Sequence, residues 1–188
     1  MKKLVIILAA LLVVGIMFIG WYINGLNRIV RMHETVKESW AEIDNQLKRR
    51  SDLIPNLVNT VKGYAGHEKE VFTHIADARA KLAGAQTIKQ KIDASNRLES
   101  ALSRLLVIVE RYPDLKANIS FQRLMDELSG TENRIAVARM RYNREVKTFN
   151  AHIREVIGGF FARRRGLTEP FEYFEIAESD KAVPEVKF

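Results

Sequence analysis

An uncharged run from Leu4 to Asn27, directly behind Lys2 and Lys3, constrains this chain more than any other feature. Its most apolar part, Leu4 to Ile23, is about 20 residues. At about 1.5 Å of rise each, that is about 30 Å of helix, the thickness of a bilayer's hydrocarbon core. A secretory signal has a shorter apolar run, about 7–15 residues, closing on a small-x-small cleavage site. Here the exit reads Phe18-Ile19-Gly20-Trp21-Tyr22, with bulky Phe18 where a small residue is wanted. The run is therefore read as an uncleaved anchor, residues 1–27, with Trp21 and Tyr22 at interfacial depth, where aromatic rings prefer to sit. Gly15, Gly20 and Gly25 recur every fifth residue, which is not the small-xxx-small face of a dimerising span.

Basic residues flank the run on both sides: Lys2 and Lys3 before it, Arg28, Arg31 and Lys37 after it. The positive-inside count is nearly balanced. A very short basic N-terminus before a long apolar run resembles a signal anchor. The expected location is therefore the cytoplasmic (inner) membrane, with the rest of the chain extracytoplasmic.

Beyond the anchor enough chain remains for one domain with a real core. The net charge is +7, but acids and bases are interspersed, as on a solvated helical surface rather than a nucleic-acid footprint. The absence of cysteine removes disulfides, thiolate metal sites and cysteine nucleophiles together.

Apolar residues recur at threes and fours along four stretches. The first carries Ile29, Val36, Ile43 and Leu47. The second carries Leu57, Val61, Ile75 and Leu82, the third Ile92, Leu98, Leu102 and Leu105. The fourth carries Phe121, Leu128, Ile135, Tyr142 and Phe149. Each stretch predicts a helix with one apolar stripe, the seam of a bundle. Breaks are expected at Arg50–Asp52, with Pro55 in the first turn of the next helix, or a kinked continuous helix in its place. Further breaks are expected at Gly84–Thr87, at Tyr112–Pro113, and at Gly158–Gly159. The expected fold is all-α: a transmembrane helix, then an antiparallel up-down four-helix bundle of long coiled-coil-like helices over residues 28–176, then a mobile tail, 177–188.

The fourth helix then leads back toward the bilayer and ends at Phe160, Phe161, Arg163, Arg164 and Arg165. Such a cluster suits lipid headgroups, at about 1 kcal/mol per basic residue near an anionic surface. The same residues also suit a helix C-terminus whose phenylalanines pack inward. No phosphate loop, nucleophile elbow or zincin motif is present. None of the four histidines has a glutamate three residues before it, so the paired Glu-x-x-His pattern of di-metal bundles is missing. His67, Glu70 and His74, at helical spacing, form a weak zinc candidate. Glu68 falls on the apolar stripe of the second helix. An inward carboxylate there needs a partner, and Arg134 and Arg141, near Tyr142, are the expected ones. That cluster is the candidate for a buried polar or ligand-binding site.

Several segments together resemble the LemA family. They are Arg50 to Val58 (RSDLIPNLV), Tyr64 to Glu68 (YAGHE), Ala78-Arg79, Glu110 to Asn118 (ERYPDLKAN), Thr131 to Ile135 (TENRI) and Arg141-Tyr142-Asn143, with Phe149-Asn150 after them. The match runs in order from Arg28 to Phe174. The resemblance implies one N-terminal anchor and a four-helix domain, and it carries over no catalytic residue. The functional expectation is an interaction or scaffold protein of the membrane, not an enzyme. It has no cofactor and no nucleic-acid partner, and its partners are membrane lipid, a second copy of itself and unidentified proteins. The rival expectations are an envelope sensor with a small ligand and, less favoured, a metal-dependent enzyme.

Overall fold

The computed structural model describes residues 2–175, and every described element is helical. The helices are α1 (Lys2–Lys62), α2 (Lys69–Gly84), α3 (Ile88–Val109), α4 (Pro113–Lys116), α5 (Ile119–His152) and α6 (Val156–Arg165). The expected tail, 177–188, lies outside the described residues. Two compact units are distinguished, one of residues 2–39 with 142–171, the other of residues 40–141 with 172–175.

In the second unit α1 contributes Ile43, Leu47, Ile54, Leu57 and Val61 to the core, all within 2% of full burial. α2 adds Phe72, Ile75, Ala78 and Leu82, and packs against α3, which adds Ile92, Leu98, Leu102 and Leu105. The turn between α2 and α3 is fixed by a capping box. Thr87 Oγ1 accepts from the Gln90 backbone N–H at 3.1 Å, and Gln90 Oε1 accepts from Thr87 N–H at 3.2 Å. α5 starts on Asn118, whose Oδ1 accepts from the Phe121 N–H at 3.0 Å.

Of the two expectations at Arg50–Asp52, a break or a continuous helix, the structure has the continuous helix. α1 continues through Pro55 to Lys62, and the chain turns at Gly63–Glu68 instead. Proline inside a helix removes the N–H that would bond the carbonyl four residues back. That carbonyl belongs to Ser51, and it is not left open: Arg79 Nε of α2 donates to it at 3.1 Å. A side chain from the neighbouring helix thus replaces the missing backbone donor. Polar contacts also order the elements. Rising numbers on α1 meet falling numbers on α5, with Glu42 at Arg141, Arg50 at Glu132, and Tyr64, just past α1, at Asn118. They meet falling numbers on α2, Ser51 at Arg79 and Lys62 over the Phe72 ring. On α3 the order rises with α1, Asp44 meeting Lys91 and Glu68 meeting Arg111 past the helix end.

In the first unit Ile29 and Val36 of α1 are buried, as are Val146 and Phe149 of α5. The Asn150 amide pairs with the Phe171 backbone through both of its atoms, at 2.8 and 2.9 Å, and the Phe171 ring lies 5.2 Å from those of His33 and Phe149. The expectation that Gly158–Gly159 ends the fourth helix is corrected. α5 stops at His152, and both glycines lie inside α6. A Cβ on Gly158 would stand 2.0 Å from the His152 carbonyl oxygen, and one on Gly159 2.8 Å from that of Ile153. Their role is close passage over the end of α5. α6 closes on Gly166 at φ 68°, the left-handed cap that glycine favours.

Replacing Arg79 with Met is expected to cost about 1–3 kcal/mol in urea unfolding, because the Ser51 carbonyl loses its donor. In a Pro55→Ala background the same replacement is expected to cost clearly less, since the alanine N–H restores the helical bond. Equal costs in both backgrounds would refute the substitution of donor for donor. At the other end of α2, Thr87→Ala is expected to lower stability by about 1 kcal/mol, with Thr87→Ser close to wild type in the same measurement.

Candidate functional site

Residues Val36, Ile43, Arg50 and Leu57 recur at sevens on α1, and Phe121, Leu128, Ile135 and Tyr142 recur at sevens on α5. Six of these eight are the buried apolar residues that a seam requires, and Tyr142 is buried too. Arg50 is the exception. It occupies a seam position with a side chain only 9% exposed, and its Nη1 donates to Glu132 Oε2 at 2.6 Å. Thr131, beside Glu132, is fully buried and turns its hydroxyl to the Leu128 carbonyl at 2.7 Å. Arg50 Nε and Gln46 Oε1 are buried with no hydrogen-bond partner among the described residues. This polar layer costs desolvation and gives register in return: any slide of α5 along α1 strands a guanidinium among aliphatic side chains. The heptad count alone would have singled Arg50 out.

The predicted cluster of Glu68, Arg134, Arg141 and Tyr142 is not assembled. Glu68 lies in the turn before α2, where its Oε1 accepts from Arg111 Nη2 at 2.6 Å. Arg141 is exposed and makes a forked contact from Nη1 to both Glu42 oxygens, at 2.8 and 3.0 Å. Arg134 is exposed on α5, and Tyr142 is fully buried. The physical reason is that Glu68 lies outside the helix, so helical spacing from Tyr64 and Val71 does not place it. The same applies to His67, Glu70 and His74. His67 precedes α2 while the other two lie on it, and no group of three potential ligands among the described residues is placed to hold a metal. A groove of about 320 Å³ lies between α1 and the α2–α3 turn, lined by Asp44, Ser51, Arg79 and Lys91. Its charges are already engaged, Lys91 with Asp44 at 2.5 Å and Arg79 with the Ser51 carbonyl.

In the first unit the residues of the expected lipid-facing cluster separate into two groups. Phe161 is 2% exposed, with ring centroids of Trp21 and Tyr22 at 5.3 and 5.7 Å. Its ring occupies the space that a side chain on Gly25 would need, since a Cβ there would lie 2.2 Å from it. Phe160 is partly exposed and carries Arg164 over its ring at 5.5 Å, while Arg163, Arg164 and Arg165 face solvent in the last turn of α6. That turn is electrostatically favourable for cations. In the same unit, His33 and Lys37 hold the Glu34 carboxyl below its ordinary range, the hydrogen bond with His33 contributing most.

The sequence profile described as the LemA family matches residues 39–188. Among characterised proteins, the chain is 26% identical over 196 residues to "Magnetosome protein MamQ 2" of Paramagnetospirillum magneticum, covering 88% of this chain and 72% of the relative. It is 26% identical over 183 residues to "Magnetosome protein MamQ" of Magnetospirillum gryphiswaldense, covering 84% and 67%. It is also 26% identical over 153 residues to "Protein LemA" of Metamycoplasma hominis, covering 81% and 69%.

Glu132→Ala is expected to destabilise the protein by about 2 kcal/mol in chemical unfolding, because it strands the buried Arg50 charge. Glu68→Ala, whose partner Arg111 is 62% exposed, is expected to cost less than about 1 kcal/mol. The double replacement Arg50→Met with Glu132→Leu is expected to recover most of the loss.

Proposed function

The chain belongs to the LemA family, and from that premise we propose that it is a single-pass membrane-anchored scaffold. Its helices form an up-down four-helix bundle that works through its surfaces and through self-association rather than through an active site. The observation that carries the anchor is the exposure of α1. Of its most apolar window, none is buried inside the protein, and Leu4, Ile6, Leu11, Val14 and Met17 are all more than 60% exposed. Covering that much apolar surface is the task of a bilayer. Trp21 and Tyr22 close the run at interfacial depth. The bundle reading is supported by the contact order described above, in which α2 and α5 run against α1 and α3 runs with it.

Self-association is supported by apolar residues that the fold leaves open. On α5 Val137 and Met140 are 50% and 63% exposed, one turn apart, and on α3 Val107 is 71% exposed. The sequence spacing leaves Phe72, Leu106 and Met125 outside one seam; of these Leu106 is 39% exposed, whereas Phe72 is buried in the core. The anchored domain is assigned to the outer side of the inner membrane by the signal-anchor pattern of the N-terminus.

In alkaline carbonate extraction the full chain is expected to stay with membranes, and a version lacking residues 2–23 to move to the soluble fraction. Protease added to spheroplasts is expected to digest the domain, and cross-linking in detergent to yield dimers or larger species that weaken in Val137→Glu with Met140→Glu. Full protection from protease would reverse the orientation. A monomer under all cross-linking conditions would remove self-association.

A further inference from the structure

We propose that the groove between α1 and α6 is a binding site for the headgroup phosphate of an anionic phospholipid, a proposal that rests on reading α1 as a membrane span. The groove has a volume of about 240 Å³ and is formed on the α1 side by Trp21, Gly25, Arg28 and Arg31, and on the other by His152, Ile157 and Phe161. Its composition is graded along α1. The N-terminal end is aromatic, with Trp21 and Phe161 and the one amide of Asn24 beside them, and the far end is cationic.

Depth gives the gradient its meaning. Arg28 lies five residues beyond Ile23, the end of the most apolar run. At about 1.5 Å per residue that is about 7.5 Å past the hydrocarbon edge. The headgroup layer on each side of a bilayer is about 5–8 Å deep. Side chains on a helix lean toward its N-terminus, which here is the membrane side, so Arg28 lies in the headgroup layer and Arg31, about 12 Å past the edge, leans back toward it. Neither guanidinium has a hydrogen-bond or ion-pair partner among the described residues, whereas His152, on the opposite wall, is held by Glu155 at 2.8 Å.

The groove is also preformed. Phe161 is packed into the gap over Gly25, and its ring meets Trp21 edge-on at 5.3 Å. The Gly158 and Gly159 backbones hold α6 against the end of α5, which sets Ile157 and Phe161 in place. A free phosphate would use the arginines alone. A phospholipid uses both ends, with phosphate between Arg28 and Arg31 through charge-assisted bonds and its glycerol and first methylenes along Trp21 and Ile157. The exposed Val156, 90% open, continues the apolar edge of α6 beyond the groove.

The test uses the full chain in a zwitterionic detergent micelle, with Trp40→Phe so that Trp21 is the sole tryptophan. Dioctanoyl phosphatidylglycerol is titrated and Trp21 emission followed, against dioctanoyl phosphatidylcholine and sodium phosphate. The proposal expects saturable binding of the anionic lipid at least tenfold tighter than of the zwitterionic one. It expects inorganic phosphate not to compete at matched concentration, and the anionic preference to vanish in Arg28→Gln with Arg31→Gln. A control with the same charge loss, Arg123→Gln with Arg134→Gln, should bind as the parent does. Equal binding of both lipids, retained preference in the Arg28/Arg31 variant, or full competition by inorganic phosphate would each overturn it. Carbonate extraction of the Arg28/Arg31 variant separates the two readings. The variant should remain membrane-bound, so loss of lipid preference is not loss of the anchor.

Discussion

The rest of the fold depends on α1 remaining helical across Pro55. One helix carries the apolar run, buried residues of the first unit and the seam of the second. A proline in a helix interior costs about 3 kcal/mol or more, and normally ends or kinks the helix. Here the neighbouring helix contributes the missing donor through Arg79, and Ile54 and Leu57 on either side of the proline are buried to 1%. Packing and one side-chain hydrogen bond together outweigh a local preference for breaking.

The Arg50–Glu132 layer is the complementary constraint. Apolar heptads specify that α1 and α5 meet, but aliphatic side chains tolerate neighbouring registers. A guanidinium at one seam position tolerates only the register that offers it a carboxylate. The forked Arg141–Glu42 contact, further along the same pair of helices, holds the same alignment from the exposed side. Surface pairs of this kind add little stability. Both pairs thus act on the alignment of α1 with α5.

What was legible in the sequence was whatever depends on local periodicity. The apolar spacing located most of the buried residues, and the break at Gly84–Thr87 was readable because a cap is read from a few adjacent residues. What was not legible depends on residues far apart in the chain. Pro55 leaves a helix start and a continuous helix both open until Arg79 is brought beside Ser51. Gly158–Gly159 reads as a helix stop until the end of α5 is found pressed against it. Glu68 reads as a seam residue until the turn at Gly63–Glu68 removes it from the helix, and its partner proves to be Arg111 rather than Arg134 or Arg141. The groove at Arg28 and Arg31 was hidden for the same reason. Its far wall is contributed by residues more than a hundred positions away.

The absence of native cysteine makes the central claim directly measurable. Single cysteines placed along α1 can be probed in intact cells with a membrane-impermeant thiol reagent applied from outside. The account predicts a shielded block from Leu8 through Ile19, with labelling resuming at Asn27 and strong at exposed positions such as Glu34 and Ala41. Labelling at Leu8, Leu12 and Ile16 as fast as at Ala41 would contradict a membrane span and, with it, the anchored scaffold.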